Sequence, residues 1–193
     1  LRVAYPTAVE PEQVVKYLAL GYTPGSETLW RGIEKLRPGH DLWLQDRKLE
    51  KNRYWSVDMA TRWQGSPESA AKEFNELLVD AINLQLRSDV PLGVFLSGGL
   101  DSSAIVALAS EQLTEPLRTF TVRFEGKAAS DEYFAEQVSQ RYGTAHEVIV
   151  MDAGAAARAL DELIPHLDEP IADSAIIPAY FLSKAARTRG VTV

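Results

Sequence analysis

Cysteine is absent from the 193 residues. That excludes a disulfide scaffold, a thiolate metal site and a cysteine nucleophile within this chain. Histidine is scarce: His40, His146 and His166 show no metal-ligand spacing, so surface or satisfied core positions are expected for them. An excess of positive charge is also missing. Lys and Arg number 20 against 27 Asp and Glu, for a net charge of -7, which argues against a nucleic-acid partner. No apolar run approaches the ~20 residues a membrane-spanning helix needs, so no membrane partner is expected. The opening LRVAYPTAVEPEQ has no apolar segment behind a basic stretch. No signal peptide is visible, and a cytoplasmic location is the expectation. The chain starts without methionine and ends on Arg189-Gly190-Val191-Thr192-Val193, which reads as the first half of a strand. A fragment is expected at both ends.

Two textures divide what is present. Residues 1–57 read as a β-rich module with no catalytic constellation. Val14 to Leu20 forms a short helix closed by Gly21. Thr28 to Ile33 and Lys35 to Leu44 suggest strands, with Pro38-Gly39 as a turn. Asn52-Arg53-Tyr54-Trp55 ends this part, and the four tryptophans are expected to be packing residues. Residues 58–193 alternate. Ser66-Pro67-Glu68 supplies an N-cap, a proline at the first helical position and an acid near the positive end of a helix. Phe74, Leu77, Leu78, Ala81, Ile82 and Leu86 recur at helical spacing and predict one buried face. Strands are expected over residues 92–96, 117–124, 145–150 and from 191 onward. Helices are expected over 102–113, 131–142, 155–164 and 178–187. This order predicts an α/β fold, a parallel sheet with helices on both faces, whose ligands bind at the carboxyl ends of the strands.

The first expected strand runs into the second half's most informative stretch, VFLSGGLDSS, Val94 to Ser103. Gly98 and Gly99 permit backbone conformations closed to other residues and a close approach by a ligand. Successive N–H groups in such a loop, with the helix that follows, form an anion cradle. Ser97, Ser102 and Ser103 add hydroxyl donors. Asp101 would repel a bare phosphate, but it fits a phosphate bridged by a divalent cation such as Mg²⁺. The loop therefore suits a magnesium–nucleotide complex. The competing reading makes Asp101 and Ser102 simple complements of a helix N-terminus. The patterns G-x-x-x-x-G-K-[ST], G-x-G-x-x-G and G-x-S-x-G are all absent from this stretch.

SGGLDSS at the end of a first strand resembles the pyrophosphate-binding loop of the PP-loop ATP pyrophosphatases. Val90 to Ser103 is similar, within that superfamily, to the glutamine-hydrolysing asparagine synthetase family. Thr119-Phe120-Thr121-Val122, Ser130-Asp131-Glu132, Tyr142 to His146 and Leu167 to Asp173 resemble its later segments. Gly32-Ile33, Lys35 to His40 and Tyr54-Trp55 resemble the end of its glutaminase domain and the start of its synthetase domain. The resemblance implies ATP and Mg²⁺ as cofactors. It implies that Ser97, Gly98, Gly99, Asp101 and Ser102 hold the pyrophosphate, that Ser103 belongs to the same cofactor-binding loop, that Asp101 ligates the metal, and that Phe95, Leu96 and Val122 lie near the adenosine. The implied partners are small molecules: ATP, aspartate or another carboxylate, and ammonia from glutamine. Oligomeric state, including a homodimer, is left open. The family's N-terminal cysteine is missing, and its second glycine–acid loop would follow Val193, so this chain alone is expected to have little synthetase activity. No arginine stands in Ile171-Ala172-Asp173-Ser174, where aspartate-using members carry one. A related amidotransferase or a β-lactam-forming synthetase is one alternative reading, and a non-catalytic nucleotide-binding module another. Asp168-Glu169 is expected either to guide substrate or metal or to be a solvated acidic loop.

Overall fold

In a computed structural model, the structure describes residues 8–126 and 130–192, apart from the side chains of Ser130 and Asp131. The chain forms two units, one of residues 1–63 with 167–173 and the other of 64–166 with 174–193. The division thus falls after Trp63 rather than after residue 57, and the Leu167–Asp173 segment leaves the second unit to join the first.

In the first unit, α1 spans Pro11–Leu20. Gly21 ends it in the left-handed region (φ 78°), where its N–H reaches Tyr17 O, a conformation glycine adopts without steric cost. Residues 28–33 form no strand. Val9 and Trp30, and Glu27 and Glu34, make isolated bridges instead. The sheet here is one antiparallel hairpin of β1 (His40–Gln45) and β2 (Lys48–Arg53). Its turn is Asp46-Arg47, both at positive φ (50° and 63°), as a two-residue hairpin turn requires. Pro38-Gly39 leads into β1 rather than joining two strands. Strand β2 escapes sequence reading because KLEKNR has neither β-branched residues nor alternation. Trp43 and Trp55 stay exposed rather than packed.

Glu169 is the polar anchor of this unit. Its carboxylate meets Lys35 Nζ at 2.6 Å. It also accepts from the Leu29 N–H at 2.6 Å and from Thr23 Oγ1 at 3.2 Å. Asp168 lends its carbonyl oxygen to Trp30 Nε1 at 3.3 Å. Through Glu169 the loop ties together segments far apart in sequence, while Asp168 and residues 170–173 stay exposed.

In the second unit, the order is α2 (Pro67–Gln85), β3 (Gly93–Phe95), α3 (Leu100–Gln112), β4 (Arg118–Phe124), α4 (Ser130–Tyr142), β5 (Ala145–Met151), α5 (Ala153–Leu163), a single 3-10 turn and α6 (Ile176–Thr188). Ser66 caps α2 by accepting from Ser69 N at 3.2 Å, and Pro67 follows it. The strands lie in the order β3-β4-β5, all parallel. On one face, Ile82, Leu96, Val106, Ala109, Leu117 and Ala135 form a core under α2, α3 and α4. On the other, Phe120 packs with Ala186 and Val191, joined by Ile149 and Leu182. The expected α/β fold with helices on both faces is present. Leu78, Ile82 and Leu86 are the buried stripe of α2, whereas Phe74 and Leu77 are exposed. The stripe is shorter than their spacing predicts: Phe74, one step further along the same four-residue row, is exposed, as is Leu77 to one side of it.

After α6 the chain returns to the free side of β3, where Thr192 N donates to Pro91 O at 3.1 Å. No strand is assigned at residues 191 and 192, and Val193 lies outside the described residues. The first three strands thus run outward from β3 in one direction, and the chain then doubles back to its other side. Among the described residues β3 is the edge strand of this sheet, and parallel α/β sheets bind ligands beyond the carboxyl ends of their strands.

Candidate functional site

The carboxyl end of β3 is Phe95, and the SGGLDSS loop begins two residues later. Alternation along the strand separates its last side chains. Leu96 points into the core and is 1% exposed. Phe95 is in register with Phe120 on β4 and shares its face. Together with Ser183, Ala186, Arg187, Val191 and Thr192, these two rings line a cleft of about 260 Å³. Val122, two residues beyond Phe120, is half-buried on that same strand face. Of the three residues expected near adenosine, Phe95 and Val122 therefore share a face, while the Leu96 side chain is committed to the opposite core.

The loop is tied by its own serines. Ser97 N donates to Ser102 Oγ at 3.2 Å, the two hydroxyls meet at 3.0 Å, and Gly99 N donates to Ser97 Oγ at 3.3 Å. Ser102 Oγ also reaches Gly99 O at 3.2 Å, and Ser103 N bonds Gly99 O at 3.1 Å. Gly98 stands at φ 77°, the one position in the loop that demands a left-handed residue. Gly99 is the N-cap of α3, with no side-chain cap. The result is a cradle. Among the described residues, the N–H groups of Gly98, Leu100, Asp101 and Ser102 have no protein acceptor. Four free donors at a helix N-terminus, with the positive end of the helix dipole, are an arrangement chemically suited to an anion. Ser97 and Ser102 bring their hydroxyls to it, and Ser103 sits half-buried just behind.

Asp101 is exposed in the first turn of α3, and among the described residues its carboxylate has no ion pair or hydrogen bond. Among those residues, too, no three acidic or histidine side chains gather where they could hold a metal. A cation here would have one protein carboxylate and would take its remaining oxygens from phosphate and water. That donor set fits Mg²⁺, which keeps waters and bridges one or two carboxylates to phosphates. It does not fit a dedicated all-protein cage.

The loop and its surroundings lie in the stretch, residues 73–193, that matches the family model described as asparagine synthase. The chain belongs to the asparagine synthase family. It is similar to glutamine-hydrolysing asparagine synthetase 1 of Bacillus subtilis (strain 168), 32% identical over 186 residues, or 96% of this chain and 29% of the relative. It is also similar to glutamine-hydrolysing asparagine synthetase 3 of the same organism, 32% identical over 166 residues, or 77% of this chain and 25% of the relative. The chain therefore spans less than a third of the length of these relatives. Among solved structures, it is similar to an NH3-dependent NAD synthetase from Campylobacter jejuni. There the TM-score is 0.43 at 16% identity, over 62% of this chain and 53% of that one. No helix among the described residues of this asparagine synthase family chain is long and apolar enough to cross a membrane.

Two polar residues of the site region are not singled out by sequence reading. Thr121, 3% exposed, donates its hydroxyl hydrogen bond to Leu96 O. Thr119, fully buried, places Oγ1 2.8 Å from both Thr144 Oγ1 and His146 Nδ1. Burial holds His146 below its ordinary pKa against the opposing attraction of Glu136 and Glu132, and its Nε2 is buried with no hydrogen-bond partner among the described residues, so it is not the satisfied core histidine expected. The signal for both threonines was available: hydroxyls alternating through an otherwise apolar strand must find partners when buried.

Proposed function

We propose that the second unit holds the pyrophosphate end of Mg-ATP while a carboxylate is activated, in an AMP-forming amidotransferase of the asparagine synthase type. The observation that carries this reading is the set of four unpartnered N–H donors at Gly98, Leu100, Asp101 and Ser102 beside the single free carboxylate of Asp101. In the reaction, a carboxylate oxygen of aspartate attacks the α-phosphorus of ATP and the bond to the bridging oxygen breaks. Pyrophosphate leaves with that electron pair. Ammonia from glutamine then attacks the acyl carbon, the carbon–oxygen bond to AMP breaks, and the nitrogen gives up a proton. The cradle's work is to stabilise the negative charge that grows on the departing pyrophosphate. When bound through Asp101, Mg²⁺ would neutralise part of that charge. Phe95 and Val122 offer an apolar face for the adenine, whereas the Leu96 side chain lies in the core and its N–H and C=O are held by Phe120 O and the Thr121 hydroxyl.

In this proposal the first unit is the end of a glutaminase domain and the second the start of the synthetase domain. The protein works in the cytoplasm on small molecules. A test uses the full-length protein with Mg-ATP and ammonia, with and without aspartate. The expected result is aspartate-dependent release of AMP and pyrophosphate in equal amounts, with asparagine formed. Release of ADP and phosphate would overturn the reaction type. AMP release that ignores aspartate would move the reading to another carboxylate acceptor.

A further inference from the structure

We infer that Thr121 is a positioning residue that aims the phosphate loop. The inference rests on the proposed use of that loop for pyrophosphate. Leu96 is the last residue on which β3 is held to β4, and its two backbone groups are held differently. Its N–H makes an ordinary ladder bond to Phe120 O at 2.8 Å. Its carbonyl oxygen has no main-chain donor among the described residues and accepts from the Thr121 hydroxyl instead. A side chain has replaced the next rung of the ladder, at the point where the loop must leave the sheet.

The consequence follows from peptide planarity. The plane that joins Leu96 to Ser97 is clamped at its oxygen by Thr121 and at its N–H by Ser102 Oγ, 3.2 Å away. Fixing that plane fixes the direction in which the chain enters Gly98, and so where the four free N–H groups point. Thr121 is itself buried between β4 and the core that holds Leu96, so it touches no ligand. Its effect passes through the loop alone. Phe95 and Val122, on the opposite strand face, do not depend on it.

The test compares Thr121→Val, which keeps the shape and loses the hydroxyl, with Thr121→Ser, which keeps the hydroxyl. Affinities of the full-length protein for inorganic pyrophosphate, Mg-ATP and adenosine are measured by calorimetry. Thr121→Val is expected to weaken pyrophosphate and Mg-ATP binding by about tenfold, the value of one hydrogen bond. Adenosine affinity is expected to stay within about twofold, and Thr121→Ser to restore the wild-type pattern. A merely structural hydroxyl would move all three ligands together, and that result overturns the inference, as does wild-type pyrophosphate affinity in Thr121→Val. Should Thr121→Val fail to fold, Thr121→Cys, a weaker donor, is expected to give an intermediate loss of pyrophosphate affinity. Wild-type affinity there overturns the inference too. If the unmodified protein binds neither pyrophosphate nor Mg-ATP, the functional reading itself falls, and the aim of the loop falls with it.

Discussion

Asp101→Asn in the full-length protein is expected to lower kcat/KM for Mg-ATP by on the order of 10²-fold, the cost of removing one group that stabilises transition-state charge. The substitution changes one oxygen to an amide, so shape is kept and the carboxylate is lost. Two effects compete at this position. As an acid in the first turn of α3, Asp101 complements the helix dipole, a contribution of about 0.3–1 kcal/mol to stability. As a cation ligand it would act on the reaction barrier, where a factor of 10² corresponds to about 2.7 kcal/mol. The two are separable by measurement. Thermal unfolding reads the first and steady-state kinetics over a range of Mg²⁺ concentrations reads the second. The metal reading predicts a raised Mg²⁺ requirement with a small shift in unfolding temperature. An unfolding shift with unchanged kinetics would leave Asp101 as a helix-end residue only.

Glu169→Ala is expected to destabilise the first unit by about 1–2 kcal/mol, the loss of hydrogen bonds to a charged group, since the ion pair itself is partly exposed at both ends and contributes little more. The Leu29 N–H is also left without its acceptor. Backbone amide exchange checks this residue by residue, and the Leu29 amide should lose protection first. The pH dependence has a definite sign. Burial raises the Glu169 pKa, but Lys35, the Leu29 N–H and Thr23 outweigh it and hold the carboxyl below its ordinary 4.5. The stabilisation is therefore fully present above pH 4.5 and is lost as pH falls through the lowered folded value. Unprotected Leu29 exchange in the wild type at neutral pH, or a Glu169→Ala protein as stable as wild type, would contradict the assignment.

The second unit was largely legible in the sequence because its signals are local. SGG between an apolar run and a helix, Ser66-Pro67 before α2, and strands spaced by helices each state their own structure, and β3, β4 and β5 pair in the parallel order that this alternation requires. The site loop was legible for the same reason: Gly98 needs its positive φ and the serines sit within five residues of one another. What escaped depends on contacts distant in sequence. Glu169 bonds to residues 134 to 146 positions away, and nothing in LDEPIAD announces Lys35 or Thr23. Thr121 reaches back 25 residues to Leu96 O. The hairpin of the first unit escaped for a different reason. Its second strand is polar on both faces and exposed throughout, so pairing with β1, not burial, makes it a strand.

The claim on which the rest depends is that the Gly98–Ser102 cradle receives the phosphates of ATP. It is tested most directly by following backbone amide resonances while inorganic pyrophosphate and Mg²⁺ are added. Shifts concentrated at Gly98, Leu100, Asp101 and Ser102, reproduced by Mg-ATP and absent with adenosine, are the predicted result. Saturable pyrophosphate binding that leaves these four amides unmoved would contradict it.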